Sequence, residues 1–272
     1  MEAASCMTRT AFITGGSSGI GLAIAKALTA RHPDTRLALF ARDQDRLSAA
    51  AAELRITAPV AEVRTFAVDL AQVDSARIMI DTAVSTLGPP DMLILSAGMT
   101  FPARWENVSM ATYRAVMEIN FFACLSLVAQ LAPLMTAGSA VGLIGSAASL
   151  SGTYGYAAYT ASKFALHGLA ETLRIELQPR GINVTLCLPP DTDTPMLAAE
   201  RTLRPAVTSR TAAKASVLAP ETVAMALLRG IDRGHFLVLP SWQIKLLYLF
   251  GPWISPLLRR QQVALIRRLG PD

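Results

Sequence analysis

Cysteine, aromatic side chains and charge are all scarce in this chain of 272 residues. Its three cysteines, Cys6, Cys124 and Cys187, lie far apart, and neither a CxxC nor a CxxH spacing occurs. The sequence therefore predicts neither a disulfide framework nor a metal site. Aromatic residues make up 6%, charged residues 17% and apolar residues 52%. This composition excludes disorder and favours alanine-rich helices packed on an aliphatic sheet.

The first residues lack an apolar stretch and carry an acid at position 2, so no signal peptide is expected. Together with the few cysteines, this predicts a reducing, cytoplasmic location. The net charge of +5 is concentrated at the C-terminal end: residues 241–272 contain five basic side chains and one acid. The first 240 residues are nearly neutral, which is not the pattern of a nucleic-acid-binding protein.

Apolar runs of strand length alternate with helical patterns along the chain. The predicted strands are 10–14, 36–41, 62–68, 91–95, 140–145, 182–188 and 235–240, and the predicted helices include 72–87, 109–135, 157–178 and 220–230. Weakly charged strands between amphipathic helices indicate a parallel sheet covered on both faces. We therefore predict one doubly wound, Rossmann-type α/β domain of about seven strands, with its ligand beyond the strands' carboxyl ends. This domain spans residues 1–240, and a C-terminal tail spans 241–272.

A glycine-rich turn, TGGSSGIG at 14–21, follows the first predicted strand and opens the first helix. Glycine permits a tight turn and lets a phosphate approach the backbone, and the helix N-terminus offers unpaired N–H groups. An ordinary glycine-rich loop is the alternative, but the strand–turn–helix setting favours a dinucleotide site. The candidate cofactor residues of this turn are Gly15, Ser17, Ser18, Gly19, Ile20 and Gly21.

The end of the second strand indicates which dinucleotide binds. A carboxylate usually holds the adenosine ribose at this position, but Ala41 and Arg42 stand here. A missing acid and an added guanidinium favour the 2′-phosphate of NADPH, with Arg46 as a supporting residue. The alternative is a solvated arginine pair. Asp69 and Leu70, after the third strand, are expected beside the adenine.

YTASK at 159–163 places Tyr159 and Lys163 four residues apart, on one face of a helix. A phenol has a pKa of roughly 10, and a neighbouring ammonium is expected to favour the phenolate. Tyr159 would then exchange a proton with a carbonyl oxygen while hydride moves. Ser146 could hold the same oxygen, and Asn120 could anchor a water that relays protons to Lys163.

With these motifs in this order, the chain resembles the short-chain dehydrogenase/reductase family from about residue 9 to 240. The resemblance implies a nicotinamide cofactor, hydride transfer at a carbonyl or alcohol carbon, and a homodimer or homotetramer. It also implies that Tyr159 is the acid/base, that Lys163 binds the nicotinamide ribose and that Ser146 orients the substrate. The chain departs from the family at LSAG (95–98), where Leu95 replaces an asparagine.

The corner PPDTDTP at 189–195 follows the sixth predicted strand. Thr192 and Thr194 fall where the family binds the nicotinamide carboxamide. The PPDTDTP sequence is similar to that of a branch of the family that reduces long-chain sphingoid ketones. Such a substrate carries an amine beside its ketone, so Asp191 or Asp193 could pair with the ammonium. Equally, both acids could cap the turn and the helix after it.

The tail contains an apolar stretch, 246–258, of 13 residues with one glycine and two prolines. A membrane span needs roughly 20 residues, so we predict no transmembrane helix there. Apolar and aromatic residues beside arginines instead suit peripheral contact with an anionic membrane. A helix packed on the core or across a dimer interface is the alternative.

Residues 196–218 are polar and are predicted to form a mobile flap over the substrate.

Two other functions fit the same residues. One is reduction of another bulky lipophilic ketone, such as a 3-oxoacyl thioester, a steroid or a retinoid, against which only the PPDTDTP corner argues. The other is a cofactor-binding scaffold without catalysis. A scaffold would be expected to have lost catalytic residues, and all four are present.

Overall fold

The computed structural model describes residues 9–213 and 215–270, so Cys6 lies outside the described residues. Within them, seven parallel strands form one sheet in the order β3-β2-β1-β4-β5-β6-β7. The strands are β1 (Thr10–Thr14), β2 (Arg36–Ala41), β3 (Glu62–Ala67), β4 (Met92–Leu95), β5 (Ala140–Ile144), β6 (Asn183–Cys187) and β7 (Leu237–Val238). The order reverses between β1 and β4, where a ligand crevice is expected. The doubly wound fold predicted from the sequence is confirmed.

Helices cover both faces of this sheet. They are α1 (Gly19–Arg31), α2 (Gln44–Thr57), α3 (Val73–Leu87), α4 (Met110–Met117), α5 (Ala123–Leu131), α6 (Ala157–Leu177), α7 (Pro195–Arg201), α8 (Ala206–Ala212), α9 (Pro220–Asp232) and α10 (Trp242–Leu269). One core packs α1, α2 and α9 on one face of the sheet, and another packs α3, α5 and α6 on the other. This double cover explains why the strands are apolar on both sides.

Three predicted elements differ in detail from the structure. The last strand is two residues long rather than six. The helix predicted over 109–135 is α4 and α5 joined by a π-helical turn at Glu118–Phe122. The predicted flap contains two short helices, α7 and α8; Thr194 caps the first of them by accepting a hydrogen bond from the backbone N–H of Leu197 at 3.2 Å.

The tail is the long helix α10, which bends at Phe250 just before Gly251 and Pro252. Proline removes a helical hydrogen bond and clashes with the preceding turn, which accounts for the bend. Among the described helices, one segment is long and apolar enough to cross a membrane, Met110–Leu134. That segment supplies residues to the core, so we read it as a helix of the folded domain.

Candidate active site

A single elongated cavity of about 1420 Å³ extends from the glycine-rich turn, past the ends of β4, β5 and β6, to the inner face of α10. It therefore occupies the crevice that the strand order predicts. Most of the residues proposed from the sequence line it, including both halves of the glycine turn, Arg42, Asp69, Ser146 and Tyr159. Its lining thus joins the predicted cofactor residues to the predicted catalytic residues and to α10.

The glycine-rich turn packs so closely against its neighbours that it leaves no room for side chains at several positions. Gly15 and Gly19 adopt positive φ angles of 66° and 54°, which other residues adopt rarely. A Cβ on Gly21 would lie 2.3 Å from the carbonyl oxygen of Gly15, and one on Gly19 would lie 3.0 Å from Thr194. The turn therefore fits close to both α1 and the PPDTDTP corner, and its geometry fits a pyrophosphate at the α1 N-terminus.

Leu95 replaces the asparagine of the family pattern. It is buried in the core, and its side chain forms no hydrogen bond with the backbone around it. The hydroxyl of Thr14 supports the neighbouring backbone instead. It accepts hydrogen bonds from the N–H groups of Ser96 and Ala97, both at 3.0 Å. Thr14 therefore ties the end of β1 to the loop after β4.

At the adenosine end, Arg42 is exposed on the cavity rim. Arg46 also lines the cavity but pairs with Asp43, with 3.2 Å between Nε and Oδ2. Asp43 in turn caps α2 by accepting a hydrogen bond from the backbone N–H of Arg46 at 3.0 Å. The carboxylate that follows Arg42 thus caps α2, and Arg42 itself lines the cavity. Asp69 and Leu70 form the neighbouring wall.

Ser146, Tyr159 and Lys163 meet beyond the end of β5. The Ser146 side chain lies near enough to the Tyr159 phenol to lower its pKa. Lys163 lies with its Nζ 5.6 Å from the centroid of the Tyr159 ring and donates a 2.9 Å hydrogen bond to the carbonyl of Ile144. The spacing on α6 places both side chains toward the same strand end, as predicted.

The pKa of Tyr159 moves opposite to the expectation from the sequence. Burial raises it to about 12. The nearby Ser146 side chain and Arg204 lower it and only partly offset this, while Glu200 and Asp191 raise it. Burial also lowers the pKa of the Lys163 ammonium to about 8. The expected stabilisation of the phenolate by Lys163 is therefore outweighed by desolvation. The protein's own groups hold Tyr159 as a neutral phenol, which is the form that donates a proton.

Asn120 lies in the π-helical turn and is fully buried. Its amide receives a 2.8 Å hydrogen bond from the N–H of Met99 and donates 2.9 Å bonds to the carbonyl of Met99 and the hydroxyl of Ser162. A Cβ on Gly98 would lie 3.0 Å from Asn120 and 3.8 Å from the Lys163 Nζ. Asn120 thus holds the loop after β4 against α6, close to Lys163. π-Turns occur frequently at functional sites.

The PPDTDTP corner closes over the cavity. Thr192 and Thr194 both line it, and their hydroxyls donate to the carbonyls of Pro190 (3.0 Å) and Thr192 (3.2 Å). The two aspartates occupy different positions. Asp191 lies on the cavity wall, whereas Asp193 is exposed and does not line the cavity. The expectation that Asp193 faces the substrate is therefore corrected. Thr194 caps α7, so the alternative that the two acids cap this helix is corrected as well.

Three residues that sequence reasoning missed surround Asp191. Arg204 donates from its two terminal nitrogens to both oxygens of Asp191, with distances of 2.7 and 2.9 Å. Its Nε lies 2.7 Å from a Glu200 oxygen and 2.8 Å from the Tyr156 hydroxyl, which in turn hydrogen-bonds Glu200. The i,i+4 spacing of Glu200 and Arg204 was visible in the sequence, but their partners in the corner and on α6 were not.

The inner face of α10 forms the far wall of the cavity, where Ile244, Leu247, Ile254 and Leu258 line it. Farther along, the side chain of Gln262 accepts a 2.8 Å hydrogen bond from the N–H of Tyr154, in the loop before α6. The tail therefore completes the substrate end of the cavity with aliphatic side chains. An apolar molecule beside the catalytic phenol would contact this helix directly.

Comparisons with known proteins agree with this geometry. The model of the short chain dehydrogenase family matches residues 9–204. A 3-dehydrosphinganine reductase of Arabidopsis thaliana is 34% identical over 85% of this chain and 69% of its own length. A 3-ketodihydrosphingosine reductase of Bos taurus is 35% identical over 82% of this chain and 68% of its own. A short-chain dehydrogenase from Sphingobium yanoikuyae, solved in complex with NADPH, has a TM-score of 0.75 at 26% identity, covering 94% of this chain and 95% of its own.

The fold, the glycine turn and the group around Tyr159 define a nicotinamide-dependent oxidoreductase that acts on a ketone or an alcohol. The chain belongs to the short-chain dehydrogenase family.

Proposed function

We propose that this protein reduces 3-ketodihydrosphingosine to dihydrosphingosine with NADPH, as a step in sphingolipid synthesis. The observation that carries the proposal is the position of the Tyr159 phenol, which lines one cavity together with the glycine-rich turn and the aliphatic side chains of α10. The names of the two relatives above support the same substrate. A pocket walled by α10 suits a long alkyl chain, because burying apolar surface contributes roughly 25 cal/mol per Å².

Each residue has a defined task in this proposal. The glycine turn and the N-terminus of α1 would hold the pyrophosphate, Thr192 and Thr194 the carboxamide, and Lys163 the ribose. Bound NADPH supplies the hydride that reaches the ketone carbon. Ser146 donates a hydrogen bond to the ketone oxygen and orients it. Tyr159 then gives its phenolic proton to that oxygen as the alkoxide develops.

The test is NADPH oxidation by the purified protein with 3-ketodihydrosphingosine in detergent micelles. A 3-oxoacyl thioester and a steroid ketone are assayed alongside. We expect turnover of the sphingoid ketone at least tenfold faster in kcat/KM than of either competitor. Turnover of the thioester alone would retain the reductase and discard the sphingoid substrate. No turnover of any ketone, with NADPH still bound, would favour the scaffold alternative.

The choice of NADPH over NADH rests on Arg42, which faces the adenosine end of the cavity. Replacing Arg42 by Ala should raise KM for NADPH about 10- to 100-fold, the usual loss for a hydrogen bond to a charged group, and leave KM for NADH nearly unchanged. The comparison variant is Arg46→Ala, which removes an arginine already paired with Asp43 and should have a smaller effect. An equal loss with both cofactors in Arg42→Ala would contradict the assignment.

We also propose peripheral contact with a membrane through the outer face of α10. Its outward side chains include Leu249, Trp253 and Leu257, which are 63%, 71% and 62% exposed. Arginines follow at 259, 260, 267 and 268. The opposite face lines the substrate cavity, so a lipid ketone leaving a bilayer would arrive next to its binding site. Such a helix suits an anionic lipid surface, where each basic residue contributes about 1 kcal/mol.

Vesicle sedimentation tests this contact. Wild-type protein should sediment with vesicles of phosphatidylglycerol and phosphatidylcholine, and much less with phosphatidylcholine alone. The double substitution Trp253→Ser, Leu257→Gln should lower the bound fraction at least tenfold. Ile78→Gln removes a similarly exposed apolar side chain from α3 and should leave binding unchanged. Equal sedimentation of the double variant and the wild type would refute the proposal, as would wild-type binding that does not depend on lipid charge.

A homodimer or homotetramer is the third part of the proposal. Large apolar side chains are exposed just before α5, on α5 and on α6, among them Phe122, Leu125 and Phe164. Burying such a patch against another copy of the chain would remove it from water. Light scattering after size-exclusion chromatography gives the mass directly, and a monomer at micromolar concentration would reject this part of the proposal.

A further inference from the structure

The substrate end of the cavity carries more acid than base around Arg204. Asp191 and Glu200 provide two carboxylates, and Arg204 provides one guanidinium. Burial by itself lowers the pKa of Arg204, but its hydrogen bonds to Asp191 and Glu200 raise that pKa above its usual range, so this group stays charged. The group formed by Asp191, Glu200, Arg204 and Tyr156 therefore contains one more acidic side chain than basic ones.

This group is placed next to the reacting atoms. The rings of Tyr156 and Tyr159 lie 6.1 Å apart, edge to face, and all four members line the same cavity as Tyr159. Tyr156 hydrogen-bonds both Glu200 and Arg204, and Arg204 pairs with Asp191. This chain of contacts connects the two carboxylates to the part of the cavity beside the Tyr159 phenol.

Asp191 is the member that a substrate can reach. The side chains of Arg204 and Glu200 are only 7% and 9% exposed, whereas that of Asp191 is 27% exposed. Its two oxygens each accept one hydrogen bond from Arg204, which leaves further lone pairs on a carboxylate. An ammonium could therefore bind Asp191 without breaking its pair with Arg204.

We infer that Asp191 and Glu200, held in place by Arg204, are specificity-determining residues that select a ketone with an ammonium group on the neighbouring carbon. The inference rests on the proposed function. The inference places the ketone oxygen at Tyr159 and the ammonium at Asp191, two residues that line the same cavity. Arg204 pairs with Glu200 as well as with Asp191, so its single positive charge is shared between two carboxylates. A ketone without the amine forms no ion pair with these carboxylates, yet its binding still removes water from them.

A purely structural role makes a different prediction. The same group links α7 and the following turn to the start of α6, so its loss could loosen the pocket. Loosening would lower the rate for every ketone in proportion. Selection of an ammonium changes instead the ratio of kcat/KM for two ketones that differ only in the amine, and a merely structural defect does not move this ratio.

The experiment measures kcat/KM for 3-ketodihydrosphingosine and for its des-amino analogue in the same micelles. Wild type should prefer the amino ketone. Asp191→Asn should reduce this preference about 10- to 100-fold, the range for a lost hydrogen bond to a charged group, mainly through KM for the amino ketone. Glu200→Gln should reduce it in the same direction. Asp193→Asn makes the same chemical change two residues from Asp191 at an exposed position outside the cavity, and the preference should stay at its wild-type value.

The outcomes separate this inference from the proposed function. An unchanged preference in both Asp191→Asn and Glu200→Gln overturns the inference, as does a wild type that reduces the two ketones equally well. In both cases the sphingoid reductase would stand. If the wild type reduces neither ketone, the proposed function itself is wrong. If Asp191→Asn fails to fold, Glu200→Gln alone decides, because the inference predicts a reduced preference for the amino ketone in that variant too.

Discussion

Replacing Tyr159 by Phe lowers kcat for ketone reduction by about 10²- to 10⁴-fold, the contribution of a well-placed general acid. The substitution removes one hydroxyl and keeps the ring that packs against Tyr156. The effect falls on kcat because the developing alkoxide loses its proton donor, while the dinucleotide crevice is untouched. Steady-state rates with saturating NADPH measure the loss, and fluorescence of bound NADPH checks that the cofactor still binds.

Tyr113→Phe is the matched control for this loss. It removes a phenolic hydroxyl from α4, outside the cavity, where the hydroxyl reaches only the Trp105 carbonyl at 3.5 Å. Its kcat should lie within a factor of two or so of the wild type, in line with a surface change worth less than about 0.5 kcal/mol. If Tyr159→Phe kept more than a tenth of the wild-type kcat, another group would have to be the proton donor.

Local patterns were enough to predict the fold and the cofactor half of the cavity. The strands are short apolar runs, and parallel pairing brings their carboxyl ends to one edge, so the glycine turn, Arg42 and Tyr159 had to lie along a single crevice. The i,i+4 relation of Tyr159 and Lys163 fixes their common direction on α6. These inferences needed only the period of each element and the topology of the sheet.

The substrate half of the cavity depends on contacts that no local pattern contains. Arg204 meets Asp191 and Tyr156 only because the chain from the corner through α7 folds back onto the start of α6. The pKa of Tyr159 depends on how deeply the phenol is buried, which outweighs the nearby ammonium. The sequence likewise could not decide which face of α10 covers the cavity, because apolar side chains occur on both.

Replacing Lys163 by Met should lower kcat/KM for NADPH at saturating ketone about 100-fold or more at pH 7, the range for loss of one preorganised electrostatic group. It should also remove the fall in kcat/KM that we expect for the wild type near pH 8. Burial lowers the pKa of Lys163 to about 8, so the ammonium is present below pH 8 and is lost as the pH rises through that value. Since kcat/KM reports the free enzyme, the wild type should show a fall centred near pH 8.

Thermal unfolding separates this catalytic loss from a folding defect. The ordinary lysine pKa of 10.5 lies above the folded value, so the unfolded chain binds this proton more tightly. The buried charge therefore costs stability below about pH 8, and the cost disappears as the pH rises toward 10.5. Lys163→Met removes that cost, although it also loses the hydrogen bond to the Ile144 carbonyl. A folded variant that retains the fall near pH 8 would show that another group controls it.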